Sequence, residues 1–258
     1  MTIAEVQRRY DADAEAYIRW WAPVLRTAMQ PVLDGVDWSS VETVFEIGCG
    51  TGILLADIAS RAPAALVVGV DASYGMLRRG AAMASLVQAD AQRLPMADAS
   101  ADVVVCGFML QHVPEPPAVF AEWARCLAPG GQLTLAAWVG SAEWSPEQVF
   151  TEELDAAGAP QVPNTRTGGD STDTTGKLAG LAEGAGLVVD SVVVEPLRWS
   201  PTVDEAVGQL SSMRTTGRRA ALLTPEQSAA VQLRVRERLV GVQAYAHDVC
   251  HLRARRPR

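Results

Sequence analysis

The chain has 258 residues, 48% of them hydrophobic, and 22 basic against 30 acidic side chains give a net charge of −8. This is apolar material for one large core with an elaboration, under a field that repels a polyphosphate and so argues against a nucleic-acid partner. Cys49, Cys106, Cys126 and Cys250 are widely spaced with no C-x-x-C pair, which points to neither a zinc site nor a disulfide framework and fits a reducing cytoplasm.

In chain order, residues 1–21 carry charges throughout and lack the apolar core of a secretory signal. No run approaches the ~18 apolar residues of a membrane span. The spacing of Ile3, Val6, Tyr10, Ala14, Tyr17, Trp20, Trp21 and Leu25 predicts a helix over 3–30 with one broad apolar face. Short apolar runs at 41–47, 66–71, 85–89, 102–107 and 132–138 read as buried strands.

Helical stretches lie between them, the clearest at 116–128, where Val119, Phe120, Trp123 and Leu127 repeat at helical spacing and Pro129-Gly130-Gly131 stops the helix. The alternation predicts a parallel sheet covered by helices on both faces. Beyond Trp138 the polar, turn-rich 160–176 reads as a loop, followed by a helix at 177–186, a strand at 187–195, helices near 202–217 and 225–240, and a last strand near 244–253. The terminal LRARRPR reads as a solvated end. A single domain is expected, with its core at about 40–140, 177–197 and 244–254. Cap elements at about 1–30, 139–176 and 198–242 would roof the carboxyl edge of the sheet.

The stretch VFEIGCGTG, residues 44–52, places a glycine-rich turn between the first strand and the following helix. Gly48, Gly50 and Gly52 permit positive φ and clear the turn of Cβ atoms, and the helix start near Thr51 would turn free N–H groups toward an anionic group. Ile53 stands where the dinucleotide fingerprint has its last glycine, which counts against a nicotinamide cofactor. Asp71 ends the second strand where a carboxylate can accept both hydroxyls of a ribose, or cap the next helix. Asp90 follows the third strand, where it can accept from an adenine amino group, and Gly107 closes the fourth.

VFEIGCGTG, VVGVDAS, QADAQRLPMADASADVVVCGFMLQHVPEP and CLAPGGQLTLAAW, in that order, resemble the class I S-adenosylmethionine-dependent methyltransferases, especially the small-molecule group similar to ubiquinone and menaquinone biosynthesis methyltransferases. The resemblance is tight over about 40–140. It implies a Rossmann-like α/β fold with a seven-stranded, mostly parallel sheet whose last strand is antiparallel. It further implies that Glu46, Gly48, Cys49, Gly50 and Gly52 surround the methionine portion of S-adenosylmethionine and that Asp71 holds the ribose. Ala72 and Met76 would flank the adenine, Asp90 and Ala91 would meet its amino edge, and Gly107, Phe108 and Met109 would line the sulfonium side.

In-line methyl transfer from a sulfonium asks mainly for alignment, which supplies roughly 7–11 kcal/mol. A base is needed only for a hydroxyl, phenol or carbon acid, and His112 is the candidate by position and ordinary titration range, or else a structural histidine. Tyr17 and Tyr10 offer aromatic faces for a sulfonium, or form a core stripe with Trp20 and Trp21. Trp20, Trp21, Trp144, Trp199 and Met213 are candidates for an apolar acceptor pocket, or for ordinary packing. The expected partner is a small apolar or aromatic metabolite, with no nucleic acid, membrane or metal, in a monomer or homodimer. A cyclase that uses the cofactor as a fixed charge and a non-catalytic cofactor-binding partner are the other readings.

Overall fold

The computed structural model describes residues 3–80, 85–143, 145–163, 169–212, 215–239, 241 and 245–258. Seven strands form one sheet: β1 (Thr43–Ile47), β2 (Leu66–Asp71), β3 (Ser85–Gln88), β4 (Ala101–Gly107), β5 (Leu127–Glu143), β6 (Val188–Trp199) and β7 (Tyr245–Arg255), in the order β3-β2-β1-β4-β5-β7-β6. Strands β1 to β5 pair in parallel and β7 runs antiparallel between β5 and β6. This is the Rossmann-like sheet that the resemblance implies. The chain order reverses between β1 and β4, so their carboxyl ends open the crevice where such sheets take ligands.

Strand alternation sorts the core into two layers. Phe45, Ile47, Val104 and Cys106 pack on one face with Phe120 and Trp123 of α5 (Pro116–Cys126) and Leu178 and Ala182 of α8 (Thr175–Gly184). Val44, Val103 and Val105 pack on the other with Leu25, Met29 and Leu33 of α2 (Ala22–Asp34) and Leu55 and Ile58 of α3 (Leu55–Arg61). A third cluster stands apart, with Phe150 and Leu154 of α6 (Ser145–Ala156), Val207 and Leu210 of α9 (Val203–Leu210), Val231 and Val235 of α11 (Pro225–Arg238), and Tyr245.

Several boundaries differ from the expectations. The helix expected over 3–30 divides into α1 (Ile3–Trp20) and α2, because Pro23 in the first turn of α2 has no N–H for the carbonyl of Arg19. The helix expected at 202–217 divides into α9 and α10 (Thr215–Ala220), and α6 was not expected. Thr202 with Glu205, and Thr224 with Gln227, form reciprocal caps that start α9 and α11.

The basic C-terminus is not a solvated end. Arg253 and Arg255 belong to β7, Gly130 N–H donates to the Arg256 carbonyl and Arg256 N–H to the Gly131 carbonyl, and Arg256 Nη1 donates to the Leu127 carbonyl at 2.6 Å. This pairing explains why β5 begins before Pro129 rather than after Gly131. Among the described residues, no helix is long and apolar enough to cross a membrane.

Candidate active site

A cavity of 530 Å³ lies over the carboxyl ends of β1, β2 and β4. Its wall includes Gly48, Gly50, Asp71, Ala72, Met76, Asp90, Ala91, Gly107, Phe108 and Met109, with Tyr10, Tyr17, Trp21 and His112 facing them. The structure thus brings most of the residues singled out from the sequence to one space.

The glycine turn is shaped by left-handed backbone at Gly48 (φ 76°), Gly50 (φ 56°) and Gly52 (φ 71°). A Cβ on Gly48 would stand 2.7 Å from Met109 Cβ and Cγ. Four of the turn's amides are already engaged. Gly48 and Cys49 N–H both donate to the Val70 carbonyl, Gly52 N–H to Cys49, and Gly50 N–H to Asp71 Oδ2 at 2.8 Å. The helix also begins late, with Leu55 the first residue of α3. The turn therefore offers bare backbone at Gly48 and Gly50, with the N–H groups of Gly48, Cys49, Gly50 and Gly52 spent inside the protein.

Asp71 also accepts from Ser73 N–H at 2.8 Å, so it ties the glycine turn to α4 (Tyr74–Leu77). Burial raises its pKa, and the Ser73 and Gly50 amides pull it back. Each of its oxygens retains acceptor capacity toward the cavity. Asp90 accepts from the backbone and side chain of Gln92.

Glu46 lies behind the turn, 3% exposed, with Oε2 lacking a hydrogen-bond partner among the described residues. Burial first, then the charges of Asp71 and Asp57, push its carboxyl up to about 8. Such a group calls for a cation nearby. Tyr17 sits over the turn, its Oη 3.9 Å from where a Gly50 Cβ would be. Burial, with the charges of Tyr10 and Glu46, raises its phenol.

Glu46, Cys49, Gly52, Trp20 and Trp199, all expected at the site, lie off the cavity wall. Cys49 turns its thiol into the core against Gly69, where burial raises its pKa and leaves it inert. Gly52 shapes the turn without reaching the cavity wall, and Trp20 packs against Gly208 of α9. Trp199 lies outside the wall as well, 6.4 Å from the Tyr245 ring. Trp144 and Met213 fall outside the described residues.

His112 ends a single 3-10 turn, Leu110–His112. Tyr10 Oη is 2.9 Å and Gln111 Nε2 3.2 Å from its Nε2, so the imidazole joins α1 to the β4 exit. Phe108 holds a left-handed φ of 53°, unusual for a bulky residue and a mark of local constraint. Its ring meets Trp138 at 4.4 Å. Arg9, Gln111, Trp138, Glu147, Val162, Thr215 and Tyr245 also line the cavity. Of these, only Trp138 and Tyr245 carried a usable signal, since they lie at strand ends on the ligand side.

Residues 45–135 match the family described as methyltransferase domain. A demethylmenaquinone methyltransferase of Beutenbergia cavernae is 33% identical over 145 residues, covering 55% of this chain and 58% of that protein. The chain spans about half the length of the curated relatives it matches. Among solved structures, a methyltransferase-like protein of Bacillus halodurans aligns with TM-score 0.59 at 18% identity, covering 90% of this chain and all of that one. A [4+2]-cyclase aligns with TM-score 0.54 at 18% identity, covering 90% and 80%. Residues 45–135 thus carry a methyltransferase domain, and the strand order with its antiparallel seventh strand agrees with the Rossmann-like fold of the aligned structures.

Proposed function

We propose that the chain is an S-adenosylmethionine-dependent methyltransferase acting on oxygen, nitrogen or carbon of a small apolar or aromatic metabolite. The observation that carries this reading is the pairing of a donor-spent glycine turn with the buried Glu46 carboxylate. Together they suit a cofactor that is cationic and lacks phosphate. A pyrophosphate would meet Asp71 where it needs amides.

When bound, S-adenosylmethionine supplies an electrophilic sulfonium methyl group. Glu46 would balance its ammonium, with Gly48 and Gly50 giving the methionine portion access to bare backbone. Asp71 would accept from the ribose hydroxyls, Ala72 and Met76 would flank the adenine, and Asp90 and Ala91 would meet its amino edge. Phe108 and Met109 would fix the methyl-bearing side, and Tyr17 would close over it. His112, with its Nε2 engaged by Tyr10 and Gln111, would hold α1 over the cleft rather than act first as a base. Segments 1–34, 139–176 and 198–242 would select the acceptor and exclude water.

The test is calorimetric titration with S-adenosylmethionine, S-adenosylhomocysteine and a nicotinamide dinucleotide, in the wild type, Glu46→Gln and Asp71→Ala, followed by incubation of methyl-labelled cofactor with metabolite extracts. Binding of the first two alone, weakened in both variants, with label appearing in a product, supports the proposal. Binding without transfer favours the cyclase or partner reading, and no binding refutes the cofactor assignment.

A further inference from the structure

At the start of β7, beside the cavity, lies a second tyrosine–histidine pair. Tyr245 opens β7 and lines the wall, and Trp138 lines it near the end of β5. His247 falls two residues after Tyr245 and so shares its face of the strand, with Nδ1 3.0 Å from Tyr245 Oη. The imidazole lies flat on Trp138, centroids 4.6 Å apart and planes 11° from parallel. Tyr245 is 2% and His247 3% exposed.

An apolar side chain would fill that slot without the desolvation cost of an imidazole. The rings of Phe108, Trp138 and Tyr245 follow one another at 4.4 and 6.3 Å, leading from the β4 exit to the phenol. The pair therefore stands beside the cavity, while Nε2 of His112 is already within hydrogen-bond distance of Gln111 and Tyr10.

We propose that Tyr245 and His247 form the proton-accepting pair for the acceptor, and that the acceptor is a phenol or a comparably acidic enol. This rests on the methyltransferase reading above. The acceptor O–H gives its proton to Tyr245 Oη as the Tyr245 proton passes to His247 Nδ1. One O–H bond breaks and one N–H bond forms, the phenol is regenerated, and the electron pair stays on the acceptor oxygen as the nucleophile. Tyr245 is the residue that touches the acceptor, and His247 stores the proton out of contact with water.

The probe is 4-nitrophenol, whose phenolate is coloured, titrated at pH 6 into protein saturated with S-adenosylhomocysteine. We expect the bound probe to show at least a tenfold higher phenolate-to-phenol ratio than the free probe, equivalent to one unit of pKa. Tyr245→Phe, which keeps the ring, and His247→Gln should each abolish that increase. An equal ratio in all three proteins, or no binding of the probe to the wild type, would overturn the assignment. S-adenosylhomocysteine binding is read in the same samples. Its loss from the wild type would instead overturn the cofactor reading, so the two failures are distinguishable.

Discussion

Removing Asp11 should loosen α1 from the cleft. Asp11 Oδ1 accepts from Ser73 Oγ at 2.5 Å and from Gly75 N–H at 2.7 Å, and a Cβ on Gly75 would stand 2.6 Å from Asp11 Cα. One carboxylate oxygen thus holds α1 against the start of α4, beside the Ala72 and Met76 wall. A hydrogen bond to a charged group contributes about 1.5–3 kcal/mol. Asp11 is exposed, so the lower figure applies to each bond, and about a third of the sum returns as both donors bond water. The Glu15–Arg79 pair at 2.9 Å adds little, because Glu15 is 83% exposed. Asp11→Ala should therefore cost roughly 2 kcal/mol of closure, about a thirtyfold shift toward the open form. Amide exchange over 5–20 and 73–79 should accelerate by that factor, and S-adenosylhomocysteine should dissociate faster. Unchanged exchange in both segments would refute the reasoning, placing the closure elsewhere, for example in the Tyr10–His112 contact.

Glu46 should make the free protein pH-sensitive. With its carboxyl raised to about 8 from an ordinary 4.5, the folded chain holds a proton the unfolded chain has lost between those values. The stability from this group is thus full below 4.5 and declines as pH rises through 8, and Glu46→Gln should flatten the corresponding fall in Tm. A cation placed beside Glu46 would lower that pKa, so cofactor binding at pH 7 should release up to about one proton, measurable by calorimetry in buffers of different ionisation enthalpy. Gly48→Ala, strained at φ 76° and pressed on Met109, should lower stability by about 1–3 kcal/mol and weaken cofactor affinity in the same titration. Arg219, 2% exposed, donates to the Ala159 and Pro160 carbonyls and to Asp155. Arg219→Met should cost about 2–4 kcal/mol, seen as a lowered denaturant midpoint.

The sheet was legible because its strands are continuous apolar runs punctuated by glycine and acid, and both signals are local. Asp71 and Asp90 could be put at the carboxyl edge for the same reason, since one ends β2 and the other follows β3 by two residues, whereas Met76 and Phe108 came only from what the resemblance implies. The cap was not legible in this way. The break at Trp21 depends on Pro23, which the apolar stripe of α1 masks, and the role of LRARRPR depends on contacts such as that of Arg256 with Leu127, 129 positions earlier. Trp138, Tyr245 and His247 converge only through the antiparallel register of β5 and β7, which a strand-by-strand reading does not provide. The amide accounting of the glycine turn was missed because sequence gives the glycines and not their hydrogen-bond partners.

The hydrogen-bond partners of the turn decide which charge of ligand it serves. After a strand, glycines at alternating positions allow the backbone to approach a ligand whatever its sign; the sign depends on where the N–H groups go. Here Asp71 takes one, the Val70 carbonyl takes two, and the turn itself takes a fourth. The positive end of α3 is displaced to Leu55, away from the glycines, while Glu46 and Asp71 stand on either side of the turn. The local field favours positive charge, as the net charge of −8 does globally. Ile53 extends the same logic, because a side chain there bars the close helix–strand packing that puts a helix N-terminus under a pyrophosphate. On the proposed reading, selection of a sulfonium cofactor over a dinucleotide would rest on residues Thr43–Asp71, apart from the segments that would select the acceptor.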